Sequence, residues 1–382
     1  MPALNMRTVV ELEQKKLAFE SSFNDSQKQM TMSVLSDGVV IFEQKKPVLK
    51  EMVADSKEGL EKFLSQAHQG LIAEMEFIFA ASHKILKDPS PHICFLMGVL
   101  LLSRGFYDDA IVHFQKAVDL DPGNVPAVKH YGVAMTLKGD FENARHILNY
   151  ILESGVAFAD IYYCLGNTYL FQRQFNRAKS YYEEALKINP HYADAHLRLA
   201  TCAVGAIAGE DQGLVEAAVE NYAEEALREI QSCLECNPKI RTGALMTAAD
   251  NLKQKKYPMA LKNLLEARPK FNPKTGSEIV SFYVLKLLYG NKGVNIEETE
   301  DYIRQLEQLV EANPTYVDLR LHYGMGNLIK SNFLISRSLK EMNKALEINP
   351  NFDKAKATAS TLTDVYRKML LAVKSVYSSG NR

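Results

Sequence analysis

Over residues 60–85 the apolar positions Leu60, Phe63, Leu64, Ala67, Leu71, Met75, Ile78 and Ile85 step by three or four. That spacing predicts an amphipathic helix, with Gly59 and Gly70 as interruptions. The run Ile93 to Leu102 is apolar over ten residues. A membrane span needs ~20, so this run reads as a helix buried in a core. Steps at Leu362, Val365, Met369, Leu370 and Val373 predict a further helix after Pro350. From Leu4 to Val53 the pattern is mostly helical as well, through Val9, Val10, Leu12, Leu17 and Phe19, then Met30, Val34 and Leu35. A hairpin is the alternative there, because Asp37-Gly38 separates the short runs Met32 to Leu35 and Val39 to Phe42. This much apolar surface exceeds what free helices carry in water. Docking on the first repeat, over Ile72, Met75 and Ile78, is the expected cover, with a homodimer through the N-terminal helices as the alternative.

Between these stretches the pattern repeats. Three prolines close similar phrases, Asp119-Leu120-Asp121-Pro122, Lys187-Ile188-Asn189-Pro190 and Glu347-Ile348-Asn349-Pro350, each with Ala five residues before the proline. Pro122 and Pro190 lie 68 residues apart, two periods of 34. A frame of that length starting at Pro91 sets a small residue at its eighth position (Gly98, Gly132, Gly166, Ala200) and Ala at its twentieth (Ala110, Ala144, Ala178). A large residue stands at the twenty-fourth (Phe114, Leu148, Tyr182). The small residue lets a first helix approach a second, the large one fills the gap, and proline stops the second helix because it lacks an N–H and clashes with the preceding turn.

Tyr162, Leu165, Gly166, Tyr169, Ala178, Tyr182, Ala185 and Pro190 resemble the tetratricopeptide repeat pattern of W-x2-L-G-x2-Y, A-x3-F and P. The departure is that the chain has no Trp, the fourth position being Cys94, Val128, Tyr162 and His196. The resemblance implies an all-α, right-handed superhelical solenoid of about seven helix pairs. Helix-closing prolines at Pro238, Pro273, Pro314 and Pro350 carry the frame downstream with insertions. The expected organisation is an N-terminal helical region over 1–56, then a degenerate repeat or capping helices over 57–90. Repeats follow near 91–124, 125–158, 159–192, 193–240, 241–274, 275–316 and 317–352, with a capping helix and tail over 353–382.

The chain's 382 residues carry 45 basic and 46 acidic side chains, which argues against the basic surface that binds nucleic acid or an anionic membrane. The first sixteen residues hold no apolar core of a secretory signal. Five cysteines are an odd, scattered set rather than a disulfide framework, so a reducing, cytoplasmic location is expected, without membrane insertion. The insertion from Gly205 to Glu225 holds Glu210, Asp211, Glu216, Glu220, Glu224 and Glu225 and no Lys or Arg, which reads as a solvated acidic extension.

Candidate chemistry is sparse. Cys233-x-x-Cys236, with Cys202 as a third ligand, is the one support for a metal or thiol enzyme. Cys233 falls where other repeats have Ala117, Ile151, Ala185 and Ala267, which makes it a small core residue. No H-E-x-x-H, phosphate-cradling or nucleophile-elbow motif occurs. A non-enzymatic chain without cofactor is therefore expected. The resemblance implies that the first helices line a concave groove: Phe95, Val99 and Leu102, then Lys129, Val133 and Leu137, then Tyr163, Asn167, Leu170 and Phe171, then Leu197, Arg198 and Thr201. Such a largely apolar groove suits a helix or peptide of a partner protein, unless another helix of the same chain fills it. Some family members clamp a peptide carboxylate there; Lys129, Asn167 and Arg198 match that clamp, and Val133 and Asp194 do not. An adaptor or scaffold is the expected function, with a peptide-switched regulatory sensor as the alternative.

Overall fold

The computed structural model describes residues 4–48, 57–153, 155, 158–208, 216–237, 243–267, 277–290, 293–312 and 317–378. Two compact units emerge: residues 1–120 together with 274–382, and residues 121–273.

The first unit begins with strands, not with the expected helices. β1 (Leu4–Leu12), β2 (Lys15–Asn24), β3 (Gln29–Ser36) and β4 (Val39–Pro47) form an antiparallel meander in sequence order. Its inward set, Leu17, Phe19, Met30, Met32 and Val34, alternates with more exposed residues, so the working period is two rather than 3.6. The Asp37-Gly38 hairpin is present, both residues at positive φ (51° and 80°). α1 (Lys57–Lys87) packs on the inner face as one 31-residue helix in place of a helix pair. His68 of α1 fixes the contact: its Nε2 lies 2.8 Å from Thr8 Oγ1 and its Nδ1 2.9 Å from Ser21 Oγ.

The rest of this unit is helical: α2 (Pro91–Ser103) and α3 (Tyr107–Leu120) near the start, α12 (Ser277–Tyr289), α13 (Ile296–Ala312), α14 (Val317–Ile348) and α15 (Asp353–Ser378) near the end. α12 packs against α2, so the two ends of the unit share a core. Arg104, just past α2, ties three elements together. Its Nε donates to Glu74 Oε1 of α1 at 2.7 Å, its Nη1 donates to Glu278 of α12, and its guanidinium sits 5.0 Å from the Phe42 ring centre of β4. Residues 317–352, expected to hold two helices, form mostly the single helix α14, because no glycine or proline turn interrupts residues 327–348. The helix expected as a cap, α15, is its packing partner.

The second unit contains α4 (Val125–Lys138), α5 (Phe141–Glu153), α6 (Ala159–Phe171), α7 (Phe175–Ile188), α8 (Ala193–Ala208), α9 (Glu216–Cys236), α10 (Gly243–Lys253) and α11 (Tyr257–Glu266). Asn124 caps α4 by accepting from the Ala127 N–H at 3.1 Å, and Gly139 ends it at φ 94°. The α3, α7 and α14 helices each stop two residues before Pro122, Pro190 and Pro350. Pro238, Pro273 and Pro314, and Glu210 and Asp211 of the insertion, lie outside the described residues. Cys233, Ala226 and Ile230 of α9 join Leu197, Ala200 and Val204 of α8 and Ala260 and Leu264 of α11 in one buried cluster.

Candidate interaction surface

The first helices of the repeats present the faces that the repeat frame assigns to a groove. On α2, Val99 is buried while Phe95 and Leu102 are half-buried, and α12 of the same chain packs against this helix. An open groove over α2 is therefore not what the structure has.

In the second unit the inner face of α4, α6 and α8 is packed rather than hollow. Val133, Tyr163, Asn167, Leu170, Leu197, Arg198 and Thr201 are buried; Lys129, Leu137 and Phe171 are half-buried. Lys129 Nζ pairs with Asp160 Oδ2 at 2.7 Å. Tyr163 lies between Tyr182 and Tyr192, with ring centres 5.7 and 5.1 Å away. Sequence reasoning missed Tyr192: it sits in the turn before α8, outside the positions that line the family groove.

At the bottom of this aromatic wall the polar groups are incompletely matched. Tyr182 Oη donates to Asn167 Oδ1 at 2.9 Å, and Arg198 Nε donates to Tyr163 Oη at a long 3.4 Å. Among the described residues, Asn167 Nδ2 and both Nη1 and Nη2 of Arg198 have no acceptor, although Arg198 is 1% exposed and Asn167 0%. Burial pushes the nearby Asp194 carboxyl up, against the pull of Arg198. Three of the five clamp positions are thus present, but Lys129 is already engaged by Asp160.

Four of the five thiols lack the activation that a catalytic cysteine needs. Burial pushes Cys94 to about 11 and Cys164, Cys202 and Cys233 to about 12, so at neutral pH all four remain protonated. Among the described residues no group of three or more His, Cys, Asp or Glu is placed to hold a metal ion. Nor is any described helix long and apolar enough to cross a membrane. His196 bridges helices, its Nδ1 2.6 Å from Glu229 Oε2 and its Nε2 3.0 Å from the Pro190 carbonyl.

With this geometry in place, residues 159–192 and residues 101–162 both match the tetratricopeptide repeat family. Over residues 101–192 the chain is built of tetratricopeptide repeats. Proteins built from such repeats are in general protein-interaction scaffolds. Anaphase-promoting complex subunit 7 of Arabidopsis thaliana is similar, 20% identical over 272 residues that cover 66% of this chain and 47% of that protein. The chain spans about half the length of that relative. Among solved structures, MamA from Desulfovibrio magneticus RS-1 is 19% identical over 46% of this chain and 92% of its own, with a TM-score of 0.34. PilF of Pseudomonas aeruginosa is 15% identical over 61% and 97%, with a TM-score of 0.35.

Proposed function

We propose that this chain is a non-catalytic scaffold within a multiprotein assembly, and that the inner face of α4, α6 and α8 holds a helix or extended peptide of its partner. The observation that carries this reading is the set of orphaned donors, Arg198 Nη1 and Nη2 and Asn167 Nδ2. A buried guanidinium with two of its nitrogens unmatched destabilises a fold by about 1–3 kcal/mol relative to an apolar residue of similar volume. Keeping one there makes physical sense when something else supplies the acceptors. Backbone carbonyls or a carboxylate of a partner segment meet that need, with Tyr163, Phe171 and Tyr192 as aromatic walls. Assembly membership accords with the relative's name as a subunit of a complex. A cytoplasmic location accords with the five free cysteines.

The tight burial of this face favours one second reading, in which the partner segment binds only after the face opens and the chain acts as a peptide-switched sensor. Affinity purification from the native cell tests the scaffold. Tyr163→Ala with Phe171→Ala should lose the partners that the wild type retains, while helical circular dichroism stays near wild type. Aromatic anchors of this kind commonly carry ~2 kcal/mol or more each. Unchanged capture by the double variant removes the face from the account.

A further inference from the structure

The sheet has two edges of unlike character. β4 is guarded in ways that natural edges often are. A register shift interrupts its pairing between Val34 and Leu35, it ends in Lys45, Lys46 and Pro47, and Gly105 approaches the Ile41 carbonyl too closely for any side chain. β1 carries none of these guards. It is nine residues long, holds no proline or lysine, and pairs with β2 in unbroken register from Leu4 opposite Phe23 to Leu12 opposite Lys15. Among the described residues no strand pairs with its outer edge.

Both faces also stop short at this edge. On the outer face Val9, Ala18, Leu35 and Val40 stand opposite one another in successive strands, an apolar row straight across the sheet. Its two ends, Val9 and Val40, are 49% and 51% exposed. On the inner face Leu17, Phe19, Met30 and Val34 are fully buried, whereas Met6, Val10 and Leu12 of β1 are only half-buried.

The sequence of β1 is complementary to itself in one register. For α1 to stay on the same side of a joined sheet, outer residues must face outer residues, so an antiparallel self-pairing is centred on a residue. Centring on Arg7 sets Arg7 against Arg7, and centring on Thr8 sets Arg7 against Val9. Centring on Val10 sets Val9 against Glu11 and carries Arg7 past the end of the facing strand. Centring on Val9 sets Arg7 against Glu11 twice by symmetry, Val9 against Val9, Met6 against Leu12 and Thr8 against Val10. Opposite charges and the apolar pairs Val9–Val9 and Met6–Leu12 then meet along the contact, with the two β-branched residues Thr8 and Val10 between them. Among the described residues Arg7 pairs with Glu20 in an exposed 3.4 Å contact, a weak tie that its guanidinium can share.

We propose that a second copy of this chain adds to β1, antiparallel and centred on Val9, so that two sheets become one eight-stranded sheet across a two-fold axis. The apolar row then runs through both copies, and the half-buried Met6, Val10 and Leu12 gain cover. This contact is independent of the proposed partner face and stands whether or not that face binds anything.

Sedimentation equilibrium of the full chain tests it. Across the micromolar range the mass should approach twice 42.9 kDa. Val9→Lys, at a position exposed in the single chain, sets lysine against lysine in this register and should weaken self-association ~10-fold or more. Arg7→Glu should do the same, and Glu11→Arg added to it should restore association. If Val9→Lys melts well below wild type, the charge-swap pair carries the test. A wild type that stays monomeric overturns the proposal. So does a dimer that none of the three variants alters.

Discussion

The ring of Tyr182 lies directly over Gly166, so close that a Cβ on that glycine would come 2.5 Å from Tyr182 Cε1. The same relationship holds between Gly98 and Phe114 and between Gly132 and Leu148, each at 2.6 Å. In these three repeats the eighth residue is glycine because the large side chain at the twenty-fourth lies against its backbone. Gly166→Ala must therefore push the two helices apart, and we expect a loss of about 1–3 kcal/mol from overpacking. Gly324→Ala, at an exposed helical glycine with open space around it, should raise stability by about 0.5–1 kcal/mol. Thermal unfolding of the two variants beside wild type checks both, and a neutral Gly166→Ala would show that the pair can slide.

Arg198→Met should separate stability from binding. Removing a buried, half-matched guanidinium is expected to be neutral or stabilising by about 1–3 kcal/mol, while capture of the partner falls. Denaturant melts and affinity capture on the same preparation decide it. Strong destabilisation would mean that Arg198 is better satisfied than its geometry implies.

Arg104→Met leaves Glu74 and Glu278 facing each other without their shared cation. Both carboxylates keep some access to water, so the expected loss is about 1–3 kcal/mol, below that of a fully buried pair. Adding Glu74→Gln and Glu278→Gln should recover part of it. If the triple variant melts no higher than the single one, packing on Phe42 rather than charge holds the junction.

Acid should weaken the first unit through His113. This side chain is buried, with Nε2 2.7 Å from Ser82 Oγ, and burial lowers it to about 4 from the ordinary 6.5. Between pH 6.5 and about 4 the unfolded chain holds the extra proton, so stability is complete above 6.5 and falls as pH drops through that window. By pH 4 the loss should reach about 3 kcal/mol. His113→Gln cannot titrate, so the difference between its urea midpoint and that of wild type should shrink with acid. A constant difference would remove His113 as the cause.

The repeat was legible because each of its parts has one physical reason. Glycine under a large side chain and proline after a helix are read at fixed distances, and Gly98, Gly132, Gly166, Pro122, Pro190 and Pro350 all stand where that reasoning put them. The sheet was hidden by its first turn. Glu13 and Gln14 both adopt positive φ, 48° and 68°, without a glycine to announce it. Meanwhile Val10 and Leu12 fit a period of two while Val9 and Leu12 fit a helical step, and so short a run does not choose between them. The cover over α2 was out of reach for another reason: that α12 returns to α2 is a contact between residues far apart in sequence, and periodicity reports only neighbours on one helix.

The first unit is closed by its own far end, with residues 274–382 packed against residues 1–120. On a ribosome, the surface of α2 that α12 will cover emerges bare and stays so while the intervening residues are made. At ~5–20 residues per second that wait lasts roughly 8–30 s. The middle of the chain meanwhile has everything its own cluster needs. Nascent chains should thus pass through a stage with a finished centre and an unfinished beginning, and messages cut short after residue 273 should yield products that chaperones retain.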